Sequence, residues 1–169
     1  AGRSKWKKIK SLNKYSIGIE INNPGHENGY EKYSLKQINS LKKLLKVLIK
    51  DYKIKPMNVL GHSDIAPDRK KDPGEKFPWK NLAKSNLAKW HDLNEKNLHL
   101  NRLKKLSKTE EKKFVNNLYS IGYNKIRKVS SILEKKILIK AFQRRFRQNL
   151  INGKSDKECF LISKNLLKS

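Results

Sequence analysis

The chain has 169 residues, enough for one domain or two small ones, and its single cysteine excludes both an internal disulfide and a multi-cysteine metal site. Its 41 basic and 15 acidic residues give a formal net charge of +26, which fits either an anionic partner or a lysine-rich surface that only keeps the protein solvated. No apolar run approaches the roughly 20 residues that a membrane span requires, and the first residues show no apolar signal sequence.

The beginning of the chain predicts a loop followed by a strand. Residues 1–14 are basic and polar, with Trp6 as their large apolar anchor, and are interpreted as a loop. In residues 15–22 three isoleucines alternate with polar residues or glycine, which is typical of a half-buried strand. Glu20 lies on the other face of this strand, where it either faces solvent or is placed in a cleft.

A helix, a second strand and a further helix are predicted next. Ser34 begins a capping box, and apolar residues at helical spacing indicate an amphipathic helix over about 35–52. A short apolar strand over 57–60 leads into a charged loop, and the pattern favours another helix over 79–91. The alternation of strand and helix predicts an α/β layer, with part of its sheet absent from this chain.

The rest of the chain is predicted to be all helical. The pattern weakens from 92 to 101, so we place a linker at 93–105 between a first domain, 1–92, and a second domain, 106–169. Three helices in so short a segment make a small bundle near the lower limit of independent stability. The helices are predicted from Thr109 to Ile121, from a capping box at Ser131 to Phe146, and after Asp156, with a turn at Asn152–Gly153.

Residues 59–79 form a loop so dense in ionisable groups and prolines that a core helix or a buried strand is excluded. His62 and Asp72 both lie on this loop. Zinc accepts imidazole nitrogen and carboxylate oxygen, and a catalytic zinc site needs three protein ligands and an open position for water. Spacing alone leaves two interpretations open, a pair of metal ligands or a solvated turn.

Two segments of the chain, SIGIEI (16–21) and GHSDIAPDRKKDPG (61–74), together resemble the zinc-dependent N-acetylmuramoyl-L-alanine amidases of the type 2 family. The fold of this family is shared with the peptidoglycan recognition proteins, and the similarity covers about residues 1–90. The resemblance implies an α/β fold, a mixed sheet with flanking helices, followed here by the small all-α three-helix domain.

By matching position, the resemblance also implies roles for individual residues. His62 and Asp72 would be zinc ligands. Glu20 would be the catalytic carboxylate, and Lys70 the cation that stabilises the transition state. The implied reaction is zinc-dependent hydrolysis of the amide between N-acetylmuramic acid and L-alanine in peptidoglycan or muropeptides, for cell-wall degradation or recycling. Asp64, by contrast, is interpreted as a residue that either braces the loop or faces solvent.

Three segments of the second domain, 118–123, 139–146 and 152–156, resemble the three-helix peptidoglycan-binding domain that is often attached to such amidases. Phe142 is expected in its core. The side chains expected to face either wall glycan or water are Gln143, Arg144, Arg145 and Arg147. A tethered binding module would raise the local substrate concentration without adding catalytic groups.

In the type 2 family the first zinc histidine lies on a strand before the region where this chain begins, and no residue here replaces it by motif. We therefore expect the C-terminal portion of an amidase domain, N-terminally incomplete, that binds zinc poorly. One alternative is a non-catalytic peptidoglycan-binding fragment that has lost this ligand. A basic nucleic-acid-binding module is suggested only by charge, since the sequence lacks aromatic interleaving and a recognisable reading helix. A wall substrate implies the cell envelope, periplasmic or outer-membrane associated, rather than the cytoplasm.

Overall fold

The computed structural model describes residues 4–126 and 129–168, so the first three residues of the predicted N-terminal loop lie outside the described residues. In the described part of the chain the only sheet is an antiparallel hairpin, in which β1 (Lys5–Trp6) pairs with β2 (Ile9–Lys10). None of the described helices combines the length and apolar character needed to cross a membrane. The helices are α1 (Leu35–Asp51), α2 (His62–Ile65), α3 (Trp79–Lys84), α4 (Glu95–His99), α5 (Lys108–Ile121), α6 (Ser131–Phe146) and α7 (Lys157–Lys168), with 3-10 turns at Leu12–Lys14 and Pro56–Asn58.

Helix α1 forms as the sequence predicts. The Ser34 hydroxyl accepts a hydrogen bond from the Gln37 backbone N–H, and the Gln37 side chain accepts one from the Ser34 N–H, which completes the capping box. The buried face of α1 consists of Ile38, Leu41 and Leu45, at helical spacing. This face belongs to an apolar cluster, called the α1 cluster below, that also contains Phe77, Trp79, Leu82, Leu87 and Ala88.

The strand predicted at residues 15–22 is wrong, because no strand pairs with this segment in the described part of the chain. Alternating burial is present only in its second half, where Ile19 and Ile21 pack on the α1 cluster while Glu20 between them is exposed, as is Ile17. Alternation predicts one buried face, but a strand also needs a neighbour for its backbone hydrogen bonds. The mixed sheet implied by the resemblance is likewise not found among residues 4–126 and 129–168.

Two further predictions fail for reasons that lie in the backbone. The strand predicted at 57–60 is wrong, because Pro56 begins a 3-10 turn in which the Val59 N–H donates to the Pro56 carbonyl at 3.2 Å. Proline favours the first position of a helical turn, where its fixed φ is suitable and its missing N–H is not needed. The helix predicted over 79–91 ends early, because Asn86 has a φ of 56°, outside the helical region.

The three predicted C-terminal helices are present as α5, α6 and α7. Helix α5 begins with a capping box at Ser107. Helix α6 is capped by the hydroxyl of Ser130, which accepts a hydrogen bond from the Leu133 N–H, so the capping box predicted at Ser131 is wrong. Helix α7 is capped by Asp156, whose carboxylate accepts a hydrogen bond from the Cys159 N–H at 2.9 Å.

Most of the polar residues expected at the surface of the C-terminal region are inside it. Gln143, Arg145 and Arg147 are 0%, 2% and 3% exposed, so the expectation that they face glycan or water is wrong. A guanidinium can be buried when its charge is paired, as it is for Arg147, which contacts Asp156 Oδ2 at 2.6 Å. Phe142, expected in the core, is fully buried.

A second apolar cluster, called the bundle cluster below, joins the C-terminal helices to the N-terminal part of the chain. Its buried residues include Trp6, Leu12, Leu98, Phe114, Leu118, Tyr123, Leu138, Phe142, Phe146 and Ile162. Leu60, Ile65 and Trp90 are partly buried against it. Apolar contacts therefore extend across the predicted linker, in which α4 also forms.

Candidate active site

The side chains of His62 and Asp72 meet at the surface of the 59–79 loop. His62 is the first residue of α2, and a backbone hydrogen bond of 2.9 Å from the Ser63 N–H to the Asp72 carbonyl closes the loop on itself. His62 Nδ1 and Asp72 Oδ2 are in hydrogen-bond contact, and 46% and 53% of the two side chains are exposed. The side chains of both residues predicted as metal ligands are thus about half exposed at the same place.

Two tyrosines from the segment before α1 hold the loop next to Asp72. The hydroxyls of Tyr30 and Tyr33 both donate to the Pro73 carbonyl oxygen, at 2.7 and 2.9 Å. Burial raises the pKa of both hydroxyls, and for Tyr33 the negative charge of Asp72 acts in the same direction, so both remain protonated donors. Gly74 lies beneath them with a φ of 81°, and a Cβ there would lie only 2.5 Å from the Tyr30 hydroxyl oxygen.

A buried carboxylate, that of Asp64, fixes the same loop from the opposite side. Asp64 is 1% exposed and accepts three hydrogen bonds. The Gly61 N–H and Arg145 Nη1 donate to Oδ2 at 2.9 and 2.7 Å, and the Tyr123 hydroxyl donates to Oδ1 at 2.8 Å. A charge can be buried when it is paired and fully hydrogen-bonded, and Asp64 meets this condition. Of the two roles expected for Asp64, it therefore has the first and braces the loop.

Arg145 links this network to a second part of the loop. It comes from α6, donates to the Val59 carbonyl at 3.0 Å, and its guanidinium lies 4.1 Å from the centre of the Trp79 ring. Burial, and then the charge of Asp64, raises the pKa of the Tyr123 hydroxyl well above its usual range, which keeps it a donor. The residues Asp64, Tyr123 and Arg145, called the Asp64 network below, tie the C-terminal helices to the loop that carries His62.

The two predicted catalytic residues are exposed. Glu20 lies in the extended segment before α1, and Lys70 lies in the turn after α2, where its backbone N–H donates to the Ala66 carbonyl at 3.0 Å. In the described part of the chain neither side chain forms a hydrogen bond or an ion pair with His62 or Asp72. The structure thus brings the two predicted ligands together and leaves the two predicted catalytic groups unconnected to them.

The chain is similar to proteins of one family. A family model described as N-acetylmuramoyl-L-alanine amidase matches residues 1–75. The N-acetylmuramoyl-L-alanine amidase AmiD of Escherichia coli is 36% identical over 172 residues, which cover 99% of this chain and 62% of AmiD. AmpDh3 of Pseudomonas aeruginosa, solved in complex with an anhydromuramic pentapeptide, is 31% identical with a TM-score of 0.83, over 99% of this chain and 68% of that one. This chain belongs to the N-acetylmuramoyl-L-alanine amidase family.

The overall fold is also similar to that of a solved amidase structure. The structure of AmiD from Escherichia coli in complex with the substrate anhydro-N-acetylmuramic acid-L-Ala-D-γ-Glu-L-Lys matches with a TM-score of 0.85 at 34% identity. The match covers 99% of this chain and 66% of that one. The amidase fold expected from the resemblance is therefore confirmed as the overall fold, in a chain that spans less than two thirds of the length of AmiD.

The donor atoms at the loop are of the kind that zinc takes in proteins, an imidazole nitrogen and a carboxylate oxygen. Across residues 4–126 and 129–168, however, no three His, Cys, Asp or Glu side chains stand close enough together to hold a metal ion. His62 and Asp72 thus offer two donor atoms of the kinds that zinc accepts, whereas a catalytic zinc site needs three protein ligands.

Most of the residues that hold the 59–79 loop in place were not predicted from the sequence. Arg145 did carry a signal, because it lies three residues after Phe142 and on the same inward face of α6. Tyr30 and Tyr33 carried none, since they lie in an irregular segment without a period. Their role depends on a contact with Pro73, 43 and 40 residues away in sequence, which no local pattern encodes.

Proposed function

We propose that this protein hydrolyses the amide between N-acetylmuramic acid and L-alanine in peptidoglycan or muropeptides, in a zinc-dependent reaction. The observation that carries the proposal is the contact between His62 Nδ1 and Asp72 Oδ2 on a loop braced from both sides. Membership of the amidase family supports it, as do the muropeptide ligands named for the AmiD and AmpDh3 structures.

In this proposal each of the four predicted site residues has one task. His62 and Asp72 hold the zinc ion, together with a third ligand from outside the described residues. When bound, zinc supplies Lewis acidity to the scissile carbonyl and to the attacking water. Glu20 takes a proton from the water and passes it to the leaving amine of L-alanine. Lys70 stabilises the negative charge that develops on the amide oxygen, an effect typically worth about 3 kcal/mol.

The same proposal assigns a role to each part of the chain. Residues 1–92 are the C-terminal portion of the catalytic domain, 93–105 connect the two parts, and 106–169 form a peptidoglycan-binding-like unit. Because a wall polymer is the proposed partner, we place the protein in the cell envelope, periplasmic or outer-membrane associated. The three C-terminal helices support the assignment of the second unit.

The second candidate function is non-catalytic binding of peptidoglycan. One observation favours it, namely that only two metal ligands come together in the part of the chain that the structure describes. Such a protein would hold the wall polymer through the amidase fold without cleaving it.

Incubation with insoluble peptidoglycan and with a soluble anhydromuropeptide, with and without zinc, separates the two functions. Release of peptides with a new L-alanine amino terminus is measured by mass spectrometry, and bound protein is measured by sedimentation. For a form of the protein that includes a third ligand we expect zinc-dependent release of peptide. In Glu20→Ala the rate of release should be about 10²–10⁴-fold lower. Glu20→Ala should still bind zinc, which excludes a defect in the metal site. Binding to the polymer without any release of peptide, with zinc present, would support the non-catalytic function instead.

A further inference from the structure

A cavity of about 240 Å³ lies between the turn that follows α2 and one face of helix α6. Its charged lining consists of Asp68, Arg69, Lys70, Lys71, Lys140 and Arg144. Lys140 and Arg144 are four residues apart on α6 and therefore lie on the same face of the helix. Five cationic side chains and one carboxylate thus converge on one concave space, whereas charge spread evenly over a lysine-rich surface would not converge.

Arg144 differs from three other arginines of the C-terminal region. Arg102, Arg145 and Arg147 each contact a carboxylate oxygen, at 2.7, 2.7 and 2.6 Å. Arg144 is half-buried and forms no ion pair in the described part of the chain. Burial lowers its pKa, and the charge of Glu75 acts in the opposite direction. A partly desolvated guanidinium of this kind is well suited to an anion that enters the cavity.

The cavity adjoins the candidate metal ligands. Lys70 and Lys71 precede Asp72 by two residues and one residue, and consecutive Cα atoms are about 3.8 Å apart, so the cationic turn begins within about 8 Å of Asp72. In the muropeptide named for the AmiD complex, the γ-linkage leaves the α-carboxylate of D-glutamate free, and the C-terminal lysine carries a second carboxylate. These groups lie on the second and third residues after the scissile amide, a span of roughly 7–10 Å in an extended peptide.

We propose that this basic cavity binds the carboxylates of the stem peptide, and that Lys140 and Arg144 are specificity-determining residues supplied by α6. The choice of ligand rests on the proposed amidase function. An arginine can hold a carboxylate through two parallel N–H donors, and the ammonium group of Lys140 adds a second positive charge one turn away. The C-terminal helices then form part of the substrate site, in addition to bracing the His62 loop through Arg145.

The test is an NMR titration of the 169-residue chain with L-Ala-γ-D-Glu-L-Lys and with the same peptide carrying carboxamides in place of both carboxylates. We expect the acid to bind about tenfold more tightly than the amide, with chemical-shift changes centred on residues 67–71 and 137–144. The double variant Lys140→Gln/Arg144→Gln should lose this preference. The control Lys113→Gln/Lys135→Gln, which removes two exposed charges of α5 and α6 outside the cavity, should keep it.

Equal affinity for the acid and the amide, or the same preference in the cavity variant as in the control, overturns the proposal. The single variant Arg144→Lys guards against a folding defect, because it keeps the charge and should retain part of the preference. None of these binding measurements depends on zinc or on turnover.

Cleavage of muropeptide without a carboxylate preference would overturn this inference and leave the proposed function intact. Carboxylate-dependent binding without cleavage, in a form of the protein with three zinc ligands, would reject the proposed function and leave the cavity assignment intact.

Discussion

His62 and Asp64 lie two residues apart on the same helical turn, yet they occupy opposite environments. The His62 side chain is 46% exposed and contacts Asp72 at the surface, whereas the Asp64 side chain is inaccessible to solvent and pairs with Arg145. An exposed ion pair typically contributes about 0–1 kcal/mol to stability. A buried pair is costly to break, since removal of one partner leaves an uncompensated charge in the core.

The difference in burial separates the residues that stabilise the loop from those that face solvent. The exposed pair contributes little to stability, and both of its side chains are open to solvent. The Asp64 network holds the loop and contains no donor atom that solvent reaches, because its members are 1–2% exposed. Variants on the buried side should therefore change stability, and variants on the exposed side should change metal binding and chemistry.

The largest effect is expected for Asp64→Ala. This variant leaves the Arg145 guanidinium buried without its charge partner and removes the acceptor of the Tyr123 hydroxyl. We expect the free energy of unfolding to fall by about 3–5 kcal/mol, measured by chemical denaturation.

Asp68→Ala is the matched control, because Asp68 is an exposed carboxylate in the turn that follows α2. Its effect on the free energy of unfolding should stay within about 0.5 kcal/mol. A loss below 1 kcal/mol in the Asp64 variant would mean that the network does not hold the loop.

For His62→Ala a large effect is expected on zinc affinity and a small one on stability. Zinc affinity, measured by competition with a chromogenic chelator, should fall by about 100-fold or more, because even residues that only support a ligand are worth 10–100-fold. The free energy of unfolding without metal should change by less than about 1 kcal/mol, since the His62–Asp72 pair is exposed. His99→Ala, at an exposed position of α4, should change neither quantity. Unaltered zinc affinity in the His62 variant would remove this residue from the ligand set.

The contrast between the two faces also explains how much the sequence could predict. His62 and Asp72 were predicted as zinc ligands from the family resemblance, and the structure places their side chains in contact. Helix α1 was predicted almost to the residue, since helical spacing and the Ser34 capping box are local signals. Where local signals suffice, the sequence predicts the element.

The buried face depends on partners that are distant in sequence, and there the prediction fails. Arg145 was expected at the surface because arginine is rarely buried, and its partner Asp64 lies 81 residues earlier. The strand at 15–22 failed for a similar reason, since alternation in one segment carries no information about a pairing neighbour. Whether Glu20 and Lys70 act in catalysis stays a prediction from the family resemblance.

A smaller loss is expected when only the third member of the Asp64 network changes. Tyr123→Phe keeps the packing of the ring against Trp6, with centroids 5.2 Å apart, and removes only the hydrogen bond to Asp64. A hydrogen bond to a charged group is worth about 1.5–3 kcal/mol, so the free energy of unfolding should fall by that amount. Tyr15→Phe, at a side chain that is 73% exposed, is the control and should be neutral. An equal effect in the two variants would argue against a special role for Tyr123.

The smallest effect concerns how the free energy of unfolding depends on Tyr123 at alkaline pH. Burial, followed by the charge of Asp64, raises the pKa of Tyr123 well above 10, so the folded protein resists losing this proton. Below the pKa of an unfolded tyrosine, about 10, both states are protonated and stability does not depend on this group. As the pH rises above 10 the unfolded state loses the proton and the folded state keeps it, which favours unfolding. The wild type should therefore lose stability above pH 10 more steeply than Tyr123→Phe, by up to about 1.4 kcal/mol per pH unit. The remaining tyrosines and the lysines are common to both proteins, so they do not contribute to the difference. Parallel pH profiles of the free energy of unfolding, measured by denaturant melts, would show that Tyr123 loses its proton as readily in the folded protein as in the unfolded one. That result would contradict a buried environment for the Tyr123 hydroxyl.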